Sequence, residues 1–137
     1  AAVLVDGWVH TGDVGHFDDR GYLHIVDRKK DMIISGGFNV YSAEVEQVLA
    51  AHPAVAECAV IGVPDADWGE AVKAVVVLRD AAGVDDAALL TWCRERLGGV
   101  KTPKSIDRVA ELPRSDRGKV LKRELRAPYW AAQRRGV

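Results

Sequence analysis

Two short apolar runs, both rich in valine, constrain the fold of this chain more than any other feature. They span residues 54–63 and 71–78, and the segment between them contains the turn formers Pro64 and Gly69. β-Branched residues pack well in sheets, and runs this short and β-branched do not favour a helix. We therefore predict two central strands of a small sheet, joined by a loop.

Apolar residues at helical spacing flank these two runs. From Ser42 to Pro53 they fall on one face, with acidic residues in the first turn, where the helix dipole favours them. The aspartates 85–86 can cap a second helix, and the glycines 98–99 can end it. Residues 120–126 indicate a short basic helix. The sheet is therefore predicted to pack against helices.

Shorter alternating stretches in the first part of the chain predict β-hairpins. Residues 6–28 alternate around an Asp-Asp-Arg-Gly turn, and a second alternation surrounds Ser35, Gly36 and Gly37. A last strand is predicted at residues 105–110. The order of elements indicates an α+β (mixed α/β) fold, with an N-terminal β-hairpin followed by a small sheet of about three strands packed with helices.

Charge and composition exclude several classes of protein. Nineteen basic and twenty acidic residues give a net charge of -1, which favours neither nucleic acid nor an anionic membrane as a partner. No window approaches the roughly 18 apolar residues of a membrane span. Cys58 and Cys93 lie among apolar neighbours, which favours reduced thiols and a cytoplasmic protein. Because the only methionine is Met32, we expect a piece of a longer protein.

Charged residues beside turns are the first candidates for a binding site. Asp13 follows Gly12, where a carboxylate can either bind the vicinal hydroxyls of a ribose or cap its own backbone. The charged run 27–31 can be an exposed connector or a hinge, in which Arg28 reaches a ribose or a phosphate. The local pattern leaves both choices open.

Two glycine-containing segments are further candidates. Ser35, Gly36 and Gly37 form either a simple hairpin turn or a surface on which backbone lies flat against an extended ligand. Lys119 follows a glycine in a polar loop, but Pro113 stands where a phosphate-binding P-loop requires glycine. Its ammonium group is therefore either solvated or able to neutralise a phosphate and a carboxylate brought together.

The histidines do not complete a metal site. His10 and His16 lie near Asp13 and Asp18, but their spacing matches no compact ligand pattern. We therefore predict no metal ligands within this chain.

Five sequence blocks follow one another in order: GWVHTGDVG, GYLHIVDRKKDMIISGGFNVYSAEVE, HPAVAECAVIGVPDADWGE, VKTPK and LPRSDRGKVLKREL. Through them the chain resembles the adenylate-forming superfamily of acyl-CoA synthetases, luciferases and peptide-synthetase adenylation domains, from about Asp6 to Arg126. It is most similar to the fatty-acyl-CoA ligase branch, because of DRKKDMIISGGFNVY and because no carrier-protein segment follows. Ser42 and Val100 depart from the pattern, since relatives often carry proline and an aromatic residue there.

The resemblance implies a two-step ligase. A carboxylic acid, expected to be a fatty acid, would react with ATP to give acyl-adenylate, and CoA would then take the acyl group and release AMP. Residues 1–28 would be the tail of a large N-terminal domain, and residues 29–137 the mobile C-terminal AMP-binding-enzyme domain. The large domain would be this segment's partner and would bind most of the ATP and the Mg²⁺. The chain alone is therefore expected to be inactive.

The resemblance also implies roles for the candidate residues. Asp13 would hold the ribose hydroxyls with help from Arg28, and Lys30 would be the hinge. Lys119 resembles the adenylation lysine, since a positioned cation screens the repulsion between a carboxylate and the α-phosphate. The loop of residues 35–37 would line the channel for the pantetheine arm of CoA.

Two alternative functions accompany this interpretation. The chain can be part of an adenylation domain that loads a carrier protein rather than CoA. It can also be a non-catalytic binding module that uses the basic segment 114–126 for an acidic partner.

Overall fold

A computed structural model of the chain describes residues 3–80 and 83–135. The strands are β1 (Leu4–Val5), β2 (Trp8–Val9), β3 (Asp13–Phe17), β4 (Leu23–Arg28), β5 (Ile33–Ser35), β6 (Phe38–Val40), β7 (Val55–Asp65), β8 (Gly69–Leu78) and β9 (Ser105–Arg108). The helices are α1 (Ser42–Ala50), α2 (Asp86–Leu97) and α3 (Lys122–Arg135). The mixed α/β fold class predicted from the sequence is confirmed.

The two valine-rich runs form the long antiparallel pair β7–β8 at the centre of a sheet. Pairing runs from Val55 opposite Leu78 to Asp65 opposite Gly69. Both faces of this pair are covered, which explains why the runs are continuously apolar instead of alternating. One face packs against α1 and α2, through buried residues that include Val45, Leu49, Val60, Val72, Leu89 and Cys93. The other face packs against α3, through residues that include Ala59, Ile61, Val75, Leu112, Leu125 and Tyr129.

The sheet has five strands in the described part of the chain, where about three were predicted. Its order is β6-β5-β8-β7, and β9 lies parallel to β8 on the side away from β7. The β5–β6 hairpin joins through the single residue pair Ser35 and Gly69, and β9 pairs from Lys73 opposite Ser105 onwards. These pairings connect residues more than thirty positions apart, so a local pattern cannot reveal them.

The N-terminal part forms two hairpins, β1–β2 and β3–β4, which do not join the central sheet. Many of the large apolar side chains that the described residues leave exposed lie here, including Trp8, Phe17, Tyr22 and Ile25. Exposed apolar side chains concentrated in one part of a structure are typical of an interface with another protein part. The predicted β-hairpin region is observed, and the domain boundary after residue 28 remains a prediction.

Helices α1 and α2 begin near the predicted positions, whereas α3 is much longer than predicted. The Asp85 carboxylate caps α2 by accepting a hydrogen bond of 2.7 Å from the Ala88 amide. The prediction that the last helix ends near residue 126 was wrong, because α3 continues through Pro128 to Arg135. The indole of Trp130 donates to the Gly62 carbonyl at 3.1 Å, so packing on the sheet holds the helix past the proline. None of the helices in the described ranges has the length and apolarity needed to cross a membrane.

A partly buried ion pair links β8, β9 and α3. The Lys73 ammonium lies 2.7 Å from one carboxylate oxygen of Asp107, and the Tyr129 hydroxyl donates to the other. Burial acts to raise the pKa of Asp107, but the hydrogen bonds from Lys73 and Tyr129 and the Lys73 charge outweigh it and hold the pKa below its ordinary value. The fold therefore stabilises the charged form of the Asp107 carboxylate relative to its protonated form.

We expect this contact to weaken in acid. Because the folded pKa is depressed, its contribution is present above the unfolded pKa of about 4 and is lost as pH falls through the folded value. Asp107 is 40% exposed, so we expect Asp107→Asn to lower the free energy of unfolding by only about 1 kcal/mol at pH 7. Urea unfolding at pH 7 and pH 3 tests this. If the free energies of unfolding of wild type and variant differ as much at pH 3 as at pH 7, the charged Asp107 carboxylate is not the source of the stabilisation.

Candidate functional site

Asp13 and Arg28 are cross-strand partners at the end of the β3–β4 hairpin. The two residues lie opposite each other in the register, with the Arg28 Nε atom 3.9 Å from a carboxylate oxygen of Asp13. The Lys29 amide donates to the Gly12 carbonyl at 2.8 Å and holds the end of the hairpin closed. The 3.9 Å between the Arg28 Nε atom and the Asp13 carboxylate is too long for a hydrogen bond, so this carboxylate keeps the capacity to accept hydrogen bonds from a ligand.

The candidate hinge residue Lys30 lies in the turn that follows β4. Its carbonyl accepts a hydrogen bond of 3.2 Å from Arg126 on α3, which also forms a 3.0 Å ion pair with Asp31. The side chains of Asp31 and Arg126 are only 13% and 19% exposed. The peptide group after Lys30 is therefore attached to α3. No local pattern indicates this role of Arg126, because the contact spans 95 or more positions.

Lys119 projects from a tight turn that the sequence shows only as a polar loop. The Ser115 amide donates to the Lys119 carbonyl at 2.8 Å, and the Lys119 amide donates back to the Ser115 hydroxyl at 3.2 Å. Gly118 completes the turn with a positive φ of 80°. Arg114 donates to the Gly118 carbonyl at 2.7 Å and pairs with Glu57 on β7. The backbone of Lys119 is thus tied to the central sheet.

A cationic cleft of about 510 Å³ brings several of the predicted site residues together. It lies between the hinge turn and the start of α3, and one acid, Asp31, is among its lining residues. Its basic lining residues are Arg28, Lys30, Lys119, Lys122, Arg123 and Arg126. A neighbouring cleft beside Thr11 and Gly12 shares Arg28 and Lys30 with it. Lys122 and Arg126 are paired with Glu46 and Asp31, and the bases that remain in excess around the cleft attract an anion.

The loop of residues 35–37 lines neither of these clefts. Ser35 is buried at the end of β5, and the Gly36 amide donates to the Trp68 carbonyl at 2.8 Å. A Cβ atom on Gly36 would lie 2.4 Å from the Trp68 ring, so only glycine fits beneath that ring. A Cβ atom on Gly37 would meet nothing within 4 Å. The open side of this loop is therefore at Gly37.

Trp68 is a residue of this surface that the sequence patterns did not single out. The residue is 45% exposed, and the Lys104 ammonium lies 4.7 Å from the centre of its ring. The Asp65 carboxylate fixes its backbone by accepting a hydrogen bond of 2.9 Å from its amide. The tryptophan lies between the two apolar runs, and only the distant pairing of Ser35 with Gly69 brings it to the loop.

A buried polar network joins the end of β4 to α1 and α3. The Asp27 carboxylate, in a residue only 9% exposed, accepts hydrogen bonds from the Ser42 amide at 2.7 Å and from the Ser42 hydroxyl at 2.9 Å. The Lys122 ammonium donates to the Ser42 hydroxyl at 2.8 Å and lies 2.6 Å from the Glu46 carboxylate. The network therefore connects segments before and after the candidate hinge.

The remaining polar groups do not form a metal site in the described residues. No three side chains of the histidine, cysteine, aspartate and glutamate types converge among residues 3–80 and 83–135. Burial, followed by the charge of Glu46, raises the pKa of the Cys58 thiol to about 12. This thiol therefore stays protonated at neutral pH and is a poor metal ligand.

Comparison with known proteins identifies the family. Residues 44–119 match the family described as AMP-binding enzyme C-terminal domain, and the chain belongs to this family. It is 56% identical over 129 residues to a feruloyl-CoA synthase of Amycolatopsis, covering 94% of this chain and 26% of that protein. It is 53% identical to a long-chain-fatty-acid–CoA ligase of Salmonella typhimurium over 90% of this chain and 22% of that protein. The resemblance inferred from the five blocks is confirmed.

Solved structures give the same result. The ATP-bound MatB of Rhodopseudomonas palustris superposes with a TM-score of 0.86 at 48% identity, covering 93% of this chain and 25% of that one. The apo form of the same enzyme gives 0.75 at the same identity and coverage of this chain. The chain spans about a quarter of the length of these relatives. The chain is therefore more similar in structure to the ATP-bound form of this relative than to its apo form.

Proposed function

We propose that this chain is the C-terminal part of an AMP-forming acyl-CoA ligase, which activates a carboxylic acid as acyl-adenylate and transfers the acyl group to CoA. The observation that carries the proposal is the cationic cleft, where Arg28, Lys30 and Lys119 from distant parts of the sequence meet. Membership of the AMP-binding enzyme C-terminal domain family supports it. The acid is proposed to be a fatty acid, and the location cytoplasmic.

In the first step, the cleft would face the nucleotide. Asp13 would accept hydrogen bonds from the ribose hydroxyls, and Arg28 would assist beside it. Lys119 would reduce the repulsion between the incoming carboxylate and the α-phosphate, and stabilise the charge that develops in the transition state. The TM-score is higher against the ATP-bound form of MatB than against its apo form, which supports assigning the present structure to the adenylation step. ATP would come with Mg²⁺, held mainly by a large N-terminal domain.

In the second step, a different surface would face the active site. The loop of residues 35–37 lines neither basic cleft, so a rotation is needed to exchange the two surfaces. Arg126 attaches the peptide group after Lys30 to α3. The φ and ψ torsions of Lys30 therefore lie just before the part that would move as one body. The exposed apolar surface of β1 to β4 would contact the large domain.

The non-catalytic alternative is less well supported. Three bases of the segment 114–126 are paired within the chain, Arg114 with Glu57, Lys122 with Glu46 and Arg126 with Asp31. These pairs use the basic groups to hold the fold together, which reduces the charge available to an acidic partner.

Product analysis tests the proposed function. The complete ligase, incubated with ATP, CoA and a panel of fatty acids, is expected to release AMP and form acyl-CoA, with ferulate as the rival substrate. The 137-residue chain alone is expected to release no AMP. Acyl transfer to a carrier protein and not to CoA would favour the carrier-loading alternative. No AMP release with any acid or acceptor would contradict the ligase assignment.

A further inference from the structure

We propose that Asp27 is a positioning residue that holds the enzyme in its adenylation arrangement by bonding across the hinge to Ser42. The proposal rests on the proposed function, because it takes Lys30 as the hinge. Asp27 precedes Lys30 in the chain, and Ser42 follows it. A rotation about Lys30 that carries α1 away from β4 must therefore separate Asp27 from Ser42.

The strength of this contact comes from its chemistry and burial. The Asp27 carboxylate accepts from the Ser42 amide at 2.7 Å and from its hydroxyl at 2.9 Å, and Ser42 is fully buried. Hydrogen bonds to a charged acceptor are shorter and stronger than hydrogen bonds between neutral groups. The exclusion of water strengthens them further. Rotation would also leave the Ser42 amide without this partner, and the Asp27 carboxylate would keep only the hydrogen bond of 2.8 Å from the Arg28 amide. The contact thus favours the arrangement in which it forms.

Lys122 extends the contact to the segment that carries the predicted catalytic lysine. Its ammonium donates to the same Ser42 hydroxyl and pairs with Glu46, whose carboxylate also accepts from the Val60 amide at 2.9 Å. Lys122 lies three residues after Lys119, at the first position of α3. Asp27, on the other side, is the immediate neighbour of Arg28. The network therefore connects the two sides of the cationic cleft in this arrangement.

The backbone at Ser42 allows a test that does not disturb the helix. Ser42 is the first helical residue of α1, and Tyr41 before it has φ −86° and ψ 118°. Proline is well tolerated at the first helical position, and an extended conformation is what the residue before proline requires. Ser42→Pro therefore removes both the amide hydrogen and the hydroxyl from Asp27 while keeping α1. Ser42→Ala removes only the hydroxyl.

The experiment measures the two half-reactions separately in the complete ligase. Pyrophosphate exchange reports adenylation, and single-turnover transfer from supplied acyl-adenylate to CoA reports thioester formation. We expect Ser42→Pro and Asp27→Ala to shift the ratio of the two rates towards thioester formation by roughly tenfold. Ser42→Ala and Asp27→Asn, which keep part of the bonding, should give smaller shifts. KM for ATP should change little in Ser42→Pro, because Ser42 lies outside the proposed nucleotide contacts, whereas Asp27→Ala also removes the hydrogen bond of 2.8 Å that the Arg28 amide donates to Asp27.

A matched control separates positioning from simple loss of stability. Asp85 also accepts from a helix amide, but its contact with Ala88 lies wholly after the hinge. Asp85→Ala is expected to lower the melting temperature and leave the ratio unchanged. A ratio within about twofold of wild type in Ser42→Pro and Asp27→Ala would overturn the proposal. Lys119→Ala in the same assays distinguishes failure of this proposal from failure of the proposed function. If Lys119→Ala loses adenylation selectively, the proposed function stands even when the role of Asp27 does not.

Discussion

Replacing Lys119 with alanine in the complete ligase is expected to lower the rate of acyl-adenylate formation by about a hundredfold or more. The turn that carries Lys119 is fixed by Ser115 and by the contact of Arg114 with Gly118, so the ammonium group is delivered to the cleft from a rigid base. Without it, the carboxylate and the α-phosphate meet without the Lys119 ammonium to screen their repulsion. ATP–pyrophosphate exchange measures this step directly.

The second half-reaction should survive the same change. Thioester formation from supplied acyl-adenylate is expected to proceed at close to the wild-type rate, because it is proposed to use the loop of residues 35–37. Arg117→Ala is the matched control, since Arg117 is an exposed base of the same turn and does not line the cleft. Wild-type pyrophosphate exchange in Lys119→Ala would remove Lys119 from the mechanism.

Replacing Gly37 with leucine is expected to have the opposite effect. A Cβ atom at Gly37 meets nothing within 4 Å, so the added side chain extends into open space and not into the fold. In the proposed channel it would obstruct the pantetheine arm, and we expect thioester formation to slow by at least about tenfold, with adenylation spared. Gly36 is less suitable for this test, since any side chain there collides with Trp68.

A control is needed because Gly37 has a positive φ of 82°, which strains any larger residue by about 1–2 kcal/mol. Gly21 offers one, with a φ of 84° and open space around its Cβ position in the β3–β4 hairpin. Gly21→Leu carries a similar strain without approaching the loop of residues 35–37. Equal loss of both half-reactions in Gly37→Leu would count against the channel.

Much of the fold could be predicted because it depends on local patterns. The two valine-rich runs became β7 and β8, and Asp85 caps α2 as predicted, since burial and capping act over a few residues. The number of strands in the central sheet could not be predicted, because the β5–β6 hairpin joins it through Ser35 and Gly69, which lie far apart in the chain. The true end of α3 was missed for the same reason, as Trp130 holds it by bonding to Gly62.

The candidate site shows the same division. Asp13 and Arg28 were both candidates from the sequence, and the hairpin register places them opposite each other. The sequence did not show that Lys119 shares a cleft with Arg28, because the two residues lie far apart in the chain. Asp27 was part of the candidate hinge run 27–31 but was given no role of its own, because a buried aspartate is indistinguishable by sequence from a solvated one in a charged run. Ser42 was noted only as a departure from the family pattern.

The central claim is that two surfaces of this chain serve two successive reactions. The most direct test is to measure both half-reactions in Lys119→Ala and Gly37→Leu side by side, in the complete ligase. The account predicts opposite losses, with adenylation lost in Lys119→Ala and thioester formation lost in Gly37→Leu. Parallel losses of both half-reactions in both variants would contradict it.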